Sequence, residues 1–125
     1  MRAADIMTLD PMYLSSDKSV AAAIELCREY DVRHVPIVDR GTLVGMVSSH
    51  DLSGISTYKP SEKQVGEIMS TAVLCINPET DVGDVIDLMI DNKVGAIPVI
   101  EGSEERLIGI VSYIDVLNSV RQLVS

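Results

Sequence analysis

The sequence contains no Phe and no Trp, and only 3% of its 125 residues are aromatic. Because 46% of the residues are nevertheless hydrophobic, the core must be built from the aliphatic side chains of Val, Ile, Leu and Met. A chain of this length forms one ordinary domain, or two half-size units that share a core.

Basic residues are also scarce. Ten Lys and Arg stand against 19 Asp and Glu, which gives a formal net charge of -9. Surfaces that bind nucleic acid or anionic membranes need a basic patch, so we expect neither partner. No signal-peptide pattern opens the sequence, and no apolar run approaches the roughly 18 residues that span a bilayer. These absences predict a cytoplasmic protein without membrane insertion.

Cysteine and recognisable catalytic motifs are nearly absent as well. Cys27 and Cys75 form neither a disulfide framework nor a C-x-x-C motif, and their apolar neighbours predict inert core thiols in a reducing compartment. Neither His has a Ser or Cys nucleophile at motif spacing, no Gly-rich phosphate loop is present, and no metal-ligand cluster occurs. We therefore expect no enzyme activity, no metal site and no required cofactor.

What the sequence does contain is an internal duplication. Asp5-Ile6-Met7 matches Glu67-Ile68-Met69 at an offset of 62 residues, and Val35-Pro36-Ile37-Val38 matches Ile97-Pro98-Val99-Ile100 at the same offset. A fixed offset that recurs along the chain indicates a repeat, although it does not say what was duplicated.

The duplication continues into two strand-to-helix corners. Gly45, Ser48 and Asp51 match Gly109, Ser112 and Asp115 at an offset of 64, because the second hairpin is two residues longer. In each copy an apolar strand runs into a Ser, and a helix follows with an Asp in its first turn. The segment Ser56–Lys63 between the copies predicts a linker. The repeats are therefore expected at 1–58, with the linker to about 63, and at 64–125.

Hydrophobic periodicity and turn chemistry predict the same β-α-β-β-α order in each repeat. The predicted elements of the first repeat are strand Met12–Ser15, a helix capped by Ser16, Asp17 or Ser19 and ending at Tyr30, strands Val32–Val38 and Thr42–Ser48, and a helix from His50 to about Ile55. Those of the second are strand Val73–Ile76, a helix capped by Thr80, strands Ala96–Ile100 and Arg106–Ser112, and a helix to about Leu123. The fold class is therefore α/β, with two packed repeats related by a pseudo-twofold axis and the two corners near each other.

Each corner has two possible roles. The N-terminus of the helix and the Ser hydroxyl can hold a phosphate, while the Asp can accept hydrogen bonds from both ribose hydroxyls. The same Ser-x-x-Asp pattern is also a variant capping box, which satisfies free backbone N–H groups without a ligand. The repeat alone does not decide between these roles.

Residues near the corners allow similar alternatives. Gly95 and Ala96 leave room for a flat base, although Asn92–Gly95 also reads as a simple helix stop. Arg33 and His34 occupy the same positions in the first repeat and could pair with a phosphate or be solvated. His50, close to Ser48 in sequence, is a further phosphate candidate.

Taken together, the element order, the two Pro-containing strands and the two Gly-h-h-Ser-x-x-Asp corners resemble a cystathionine β-synthase (CBS) domain pair, over about residues 2–122. The resemblance implies a regulatory module that binds AMP, ADP or ATP in clefts between the repeats, as in energy sensing, and transmits this to a separate partner protein. S-adenosylmethionine is the variant ligand. The resemblance also implies a homodimer, which fits the excess of apolar residues on the last helix.

The resemblance further implies two sets of site residues. One cleft combines Ser48 and Asp51 with Leu74, Val94, Gly95 and Ala96, and the other combines Ser112 and Asp115 with Met12, Val32, Arg33 and His34. In the family the Asp usually holds the ribose, the Ser the phosphate, and backbone near the small residues the adenine. The Arg33-His34 pair departs from these small residues, so the second cleft either rejects a purine or requires more phosphate charge.

A different class of function stays open beside this one. The chain could be a structural or assembly module, whose corners only cap helices and whose role is dimerisation.

Overall fold

The computed structural model describes residues 1–53 and 63–124. Its helices are α1 (Ala3–Ile6), α2 (Val20–Tyr30), α3 (Ser49–Ser53), α4 (Val82–Asn92) and α5 (Tyr113–Val124), and a 3₁₀ turn covers Val65–Glu67. Its strands are β1 (Thr8–Leu9), β2 (His34–Asp39), β3 (Thr42–Ser48), β4 (Ala96–Glu101) and β5 (Arg106–Ser112). The mixed class of helices and antiparallel strands is confirmed. Apart from Lys63, the predicted linker lies outside the described residues, as does the predicted helix end at Ile55.

The chain divides into two compact units, which we name after their corners. The Ser48 unit is Met12–Val73, and the Ser112 unit combines Met1–Pro11 with Leu74–Ser125. The segment that opens the first repeat, residues 1–11, thus lies in the Ser112 unit together with α4. The segment that opens the second repeat, residues 64–73, lies in the Ser48 unit together with α2. The division into repeats at 1–58 and 64–125 concerns the sequence duplication and stays a prediction.

Backbone hydrogen bonds hold each opening segment in its unit. In the Ser112 unit, Ala3 N–H donates to the carbonyl of Thr80 (2.7 Å), and Val82 N–H donates to the carbonyl of Met1 (2.9 Å). In the Ser48 unit, Val65 N–H donates to the carbonyl of Lys18, and Val20 N–H donates to the carbonyl of Lys63, both at 2.8 Å. These bonds satisfy backbone groups next to the N-termini of α2 and α4, where the helices themselves provide no partner.

The strands of the Ser48 unit form an antiparallel hairpin. Strand β2 pairs with β3 from His34 opposite Ser48 to Asp39 opposite Thr42. Its turn places Arg40 and Gly41 at φ 52° and 82°, the left-handed values of a tight hairpin turn. The centre of β2 is buried throughout, whereas β3 alternates between buried and half-buried residues.

The Ser112 unit repeats this hairpin and adds one strand. Strand β4 pairs with β5 from Ala96 opposite Ser112 to Glu101 opposite Arg106. Strand β1 pairs antiparallel with the other edge of β5, with Thr8 opposite Ile110. The unit therefore has a three-stranded antiparallel sheet in the order β1-β5-β4.

The prediction of a strand before each of these helices was wrong, both at Met12–Ser15 and at Val73–Ile76. Each is reduced to a single parallel bridge, between Leu14 and Ile37 and between Ile76 and Val99. The chain cannot continue as a strand because it turns at once towards the helix. Ser16, for example, donates to the Asp39 carboxylate from its N–H (2.9 Å) and its Oγ (2.6 Å).

The helix caps confirm one prediction and correct another. Ser19, one of the three candidates, caps α2 by accepting a hydrogen bond from Ala22 N–H at 3.0 Å. Thr80 was wrong as the cap of α4: Asp81 holds that position and accepts from Gly83 N–H at 3.0 Å. Thr80 Oγ1 instead accepts from Asn77 N–H at 3.2 Å, which stabilises the turn before the helix.

Each unit has its own hydrophobic core, and both are aliphatic, as predicted. The core of the Ser48 unit consists of Val20, Ala23, Val35, Ile37, Val47, Leu52 and Val65. That of the Ser112 unit consists of Ala3, Ile76, Val85, Met89, Ile97, Val99, Val111 and Val116. Cys27 packs against the first core, and both cysteines are half-buried. Burial raises the pKa of both thiols, which lowers their reactivity.

Within residues 1–53 and 63–124, no helix is both long enough and apolar enough to cross a bilayer.

Candidate ligand-binding corners

The Ser48 corner joins β3 to α3 through a reciprocal pair of hydrogen bonds. Ser48 N–H donates to Asp51 Oδ2, and Asp51 N–H donates to Ser48 Oγ, both at 3.0 Å. The apolar strand ends at Ser48 because the hydroxyl and the carboxylate together satisfy the backbone N–H groups of the new turn. Ser48 is half-buried and Asp51 is exposed.

The Ser112 corner joins β5 to α5 in the same way. Ser112 N–H donates to Asp115 Oδ2 at 2.8 Å, and Asp115 N–H donates to Ser112 Oγ at 3.2 Å. In addition, Ser112 Oγ donates to Asp115 Oδ2 at 3.1 Å. Both residues are half-buried. The duplication therefore extends to the hydrogen bonds of the corners.

These bonds show that both corners are capping boxes, one of the two roles that the sequence allows. Capping does not use the whole carboxylate. In both corners the backbone N–H is bound by Oδ2, and no residue of the described ranges donates a hydrogen bond to Oδ1. With respect to the described residues, one carboxylate oxygen of each Asp therefore has no hydrogen-bond donor, so a cap and a ligand contact are compatible.

Each corner lies against the start of the neighbouring strand in its own unit. Ser49 N–H donates to the carbonyl of Arg33 at 2.7 Å, and His34 lies directly opposite Ser48. In the Ser112 unit, Tyr113 N–H donates to the carbonyl of Gly95 at 2.9 Å, and Ala96 lies opposite Ser112. The backbone at the two corners is therefore equivalent, while the side chains beside it differ.

The position of His34 beside the Ser48 corner shifts the pKa of its imidazole. Burial lowers the pKa of its imidazole, the nearby Asp51 carboxylate opposes this by raising the pKa, and the Arg33 guanidinium lowers it further. The net direction is downward, because the loss of hydration of the charged form outweighs the attraction of Asp51. His34 is therefore held mainly neutral at pH 7, within electrostatic reach of the corner.

The other predicted site residues lie nearby in sequence but have different environments. Val32 packs against the core of the Ser48 unit, whereas Leu74 and Val94 pack against the core of the Ser112 unit. His50 and Met12 are exposed. The predicted clefts combine residues of the two units, and that combination stays a prediction. Within single units, the structure groups Ser48 and Asp51 with Arg33 and His34, and Ser112 and Asp115 with Gly95 and Ala96.

Sequence reasoning missed one residue of the Ser112 corner, Tyr113. It follows Ser112 directly, opens α5 and is 40% exposed, and its backbone N–H donates to the Gly95 carbonyl. A signal was present, because a Tyr inside the Ser-x-x-Asp motif is notable in a chain with four Tyr and no Phe or Trp. No group of three or more His, Cys, Asp or Glu within the described part of the chain could hold a metal ion.

Known proteins are similar to this chain in sequence. A sequence model of the CBS domain matches residues 3–56 and 65–122. Inosine-5′-monophosphate dehydrogenase of Methanocaldococcus jannaschii is 29% identical over 117 residues, which cover 93% of this chain and 23% of that enzyme. The chain thus spans about a quarter of the length of this relative.

Two solved structures are also similar over nearly the whole chain. The CBS domain pair of protein MJ0100, in complex with 5′-methylthioadenosine and S-adenosyl-L-methionine, has a TM-score of 0.89 at 26% identity and covers 98% of both chains. CBSX2 in complex with AMP has a TM-score of 0.89 at 28% identity, covering 99% of this chain and 98% of the other. With both repeats matched by the family model and the corners built alike, the chain belongs to the CBS domain family.

Proposed function

We propose that this chain is a regulatory module that binds an adenine nucleotide, AMP, ADP or ATP, at its Ser–Asp corners. The observation that carries the proposal is the duplicated corner, in which capping leaves Oδ1 of Asp51 and of Asp115 without a hydrogen bond from the described residues. Membership of the CBS family and the similarity to a structure with bound AMP support the same ligand class.

Each side chain of a corner has a role that its chemistry supports. The Asp carboxylate accepts hydrogen bonds from the ribose hydroxyls through the oxygen that capping leaves available. The Ser48 hydroxyl, which already accepts the Asp51 N–H, donates its proton to a phosphate oxygen. At the other corner, the Ser112 hydroxyl has to release its hydrogen bond to Asp115 Oδ2 before it can do the same. Charge-assisted hydrogen bonds of this kind stabilise a complex by about 1.5–3 kcal/mol each. Two corners allow two ligand molecules per chain.

S-adenosylmethionine is the second candidate ligand. The similarity to a CBS pair bound to 5′-methylthioadenosine and S-adenosyl-L-methionine favours it. These molecules share the adenosine part with AMP, so the ribose contact to the Asp would be the same. They differ at the 5′ position, where the sulfur compounds carry no phosphate.

The regulatory part of the proposal concerns a partner chain. Helix α5 exposes Ile114, Leu117 and Val124, with 49%, 58% and 76% of each side chain accessible. These residues follow one another along one side of the helix at spacings of three and seven, an apolar stripe that a partner would cover. We propose that this stripe forms a homodimer contact. Ligand binding to the module then regulates a separate cytoplasmic protein, and the module itself catalyses no reaction.

A thermal-shift panel with AMP, ADP, ATP, S-adenosylmethionine and GTP tests the proposed function. A ligand present at 100 times its dissociation constant stabilises the folded state by about 2.7 kcal/mol, which shifts the melting temperature by several degrees. We expect shifts with the adenine compounds and none with GTP.

Variants separate ligand binding from helix capping. The D51A/D115A double variant should lose the ligand-induced shift. D81A removes a cap of similar strength outside the corners, about 1 kcal/mol, and should keep that shift. Flat curves for the wild-type protein at millimolar ligand would leave the assembly function as the better account.

A further inference from the structure

The two corners have equivalent backbone hydrogen bonds, but the neighbouring side chains are basic or polar at the Ser48 corner and small or apolar at the Ser112 corner. The three positions next to the Ser48 corner hold Arg33, His34 and His50. The equivalent positions of the Ser112 corner hold Gly95, Ala96 and Ile114. The equivalence is structural at the first two positions, because Arg33 and Gly95 accept the same backbone hydrogen bond, and His34 and Ala96 face the same Ser across the hairpin.

The side chains at these positions offer different contacts to a ligand. Arg33 is exposed, and His34 lies close enough to Asp51 and Arg33 to be influenced by the charge of both. Together with the exposed His50, they supply cationic or hydrogen-bond-donating groups for phosphate oxygens. Gly95 and Ala96 supply no side-chain donor, and Ile114 is apolar. Nothing at those three positions of the Ser112 corner would balance several phosphate charges.

The charge of each unit points in the same direction. The Ser48 unit carries six Lys and Arg against eight Asp and Glu, and both His residues of the chain lie in it. The Ser112 unit carries four Lys and Arg against eleven Asp and Glu. Most of the net negative charge of the chain thus belongs to the Ser112 unit. Since the field of a unit acts on charged ligands over roughly a Debye length, it disfavours a polyanion there.

We propose that the two corners select ligands of different charge. The Ser48 corner takes an adenine nucleotide with two or three phosphates, and Arg33 and His34 of the same unit determine this preference, instead of serving the Ser112 corner as the family resemblance implies. The Ser112 corner takes an adenosine compound with one phosphate or none. This inference rests on the proposed function, since it requires both corners to bind adenosine.

Isothermal titration calorimetry tests the inference with two probes, ATP and 5′-methylthioadenosine. The D115A variant isolates the Ser48 corner, and the D51A variant isolates the Ser112 corner. We expect D115A to bind ATP more tightly than 5′-methylthioadenosine, and D51A to show the reverse order. ATP binding to D115A should weaken as NaCl rises, because it depends on charge, whereas binding of the uncharged probe should not.

A second set of variants tests the role of Arg33 and His34. R33G/H34A gives the Ser48 corner the residues of the other corner, which the equivalent backbone accepts. In the D115A background it should weaken ATP binding about tenfold or more, as expected for a lost charged contact, and leave 5′-methylthioadenosine nearly unchanged. R33Q alone should produce part of this loss in ATP affinity. Because it is a milder substitution, it shows that the loss does not come from misfolding of the double variant. G95R in the D51A background should strengthen ATP binding.

The outcomes distinguish this inference from the proposed function. If neither probe binds the wild-type protein, the proposed function fails and the inference falls with it. If both probes bind in the same order of affinity to D51A and D115A, the proposed function stands and the inference is overturned. If R33G/H34A weakens ATP binding in D51A but not in D115A, these residues serve the Ser112 corner and the assignment is overturned.

Discussion

At the scale of single residues, a strand glycine in each unit faces a methionine from an opening segment. A Cβ placed on Gly45 would lie 2.8 Å from Met69 Cγ and 3.0 Å from the Ser70 carbonyl oxygen. A Cβ on Gly109 would lie 3.1 Å from both Met7 Cγ and the Thr8 carbonyl oxygen. The Gly of the Gly-h-h-Ser-x-x-Asp motif is therefore explained by close packing, and the motif combines a packing residue with candidate ligand residues.

We predict that G45A lowers the free energy of unfolding by about 1–3 kcal/mol, the usual cost of overpacking. Urea denaturation measures the loss. The double variant G45A/M69A should lose less than the sum of the two single variants, because removing the methionine gives the new methyl group room. Additive losses, or an unchanged midpoint for G45A, would contradict the packing role of this glycine.

His34 gives a prediction on pH at the same scale. Its pKa in the folded state lies below its ordinary value of 6.5. Between the two values the unfolded chain binds more protons than the folded chain, so stability falls as the pH drops through that range. We expect H34Q to lose less stability than the wild-type protein between about pH 7.5 and pH 5.5. H50Q is the control, and equal pH dependence of H34Q and wild-type unfolding would contradict the assignment.

At the scale of elements, helices α2 and α4 end at non-glycine residues in the left-handed conformation. Asp31 has φ 51° and Lys93 has φ 53°. Such a conformation is costly for any residue with a Cβ, and the acidic Asp31 also lies at the negative end of a helix dipole.

We therefore predict that D31G raises the free energy of unfolding, on the order of 1 kcal/mol, because it removes both the backbone strain and the unfavourable charge. K93G is the matched variant. It removes the same strain but also a favourable positive charge, so it should stabilise less. Thermal melts of the two variants provide the comparison, and a larger gain for K93G would contradict this account.

Much of the element order could be predicted from the sequence, because it follows from local patterns. The hairpins and the helices α2, α4 and α5 follow from apolar periodicity, and the Asp-Arg-Gly turn from residue types. The strand Met12–Ser15 failed because its end depends on hydrogen bonds from Ser16 to Asp39, 23 residues away. Asp81 was missed as the cap of α4 because adjacent Thr80 and Asp81 are both good caps, and only the turn with Asn77 decides between them.

The corners were predictable for a similar reason, whereas the residues beside them were less so. Ser48 and Asp51 recur at the same spacing as Ser112 and Asp115, and their capping bonds are local. The contact of each corner with Arg33 or Gly95 joins residues 16 to 18 positions apart, so it depends on how the hairpin folds. Tyr113 was missed because its one signal, an aromatic residue in a chain that has few, does not indicate that its N–H binds the Gly95 carbonyl 18 residues away.

At the scale of the whole molecule, each repeat completes its core with a segment of the other. Ala3 is fully buried in the core of the Ser112 unit, and Val65 is fully buried in the core of the Ser48 unit. One repeat alone is therefore insufficient, because the Ser112 unit is built from two separate stretches, Met1–Pro11 and Leu74–Ser125, and the Ser48 unit takes residues 64–73 from the second repeat.

We predict that a buried charge in an opening segment damages the unit of the other repeat. A3D should increase amide hydrogen exchange in α4 and β4, while V65D should do so in α2 and β2, because an unpaired charge in a core is strongly destabilising. Hydrogen-exchange mass spectrometry resolves the two regions. If A3D instead increased hydrogen exchange first in residues 20–48, the opening segment of the first repeat would not stabilise the core of the Ser112 unit, and this account would be contradicted.

The central claim, that the corners bind adenine nucleotides, is tested most directly by an NMR titration of the ¹⁵N-labelled protein with AMP. We predict saturable shifts of the backbone amides at one or both corners, Ser48–Asp51 and Ser112–Asp115, and much smaller shifts with GTP. Unchanged corner amides at millimolar AMP, or shifts confined to other parts of the chain, would contradict the claim and leave the corners as helix caps alone.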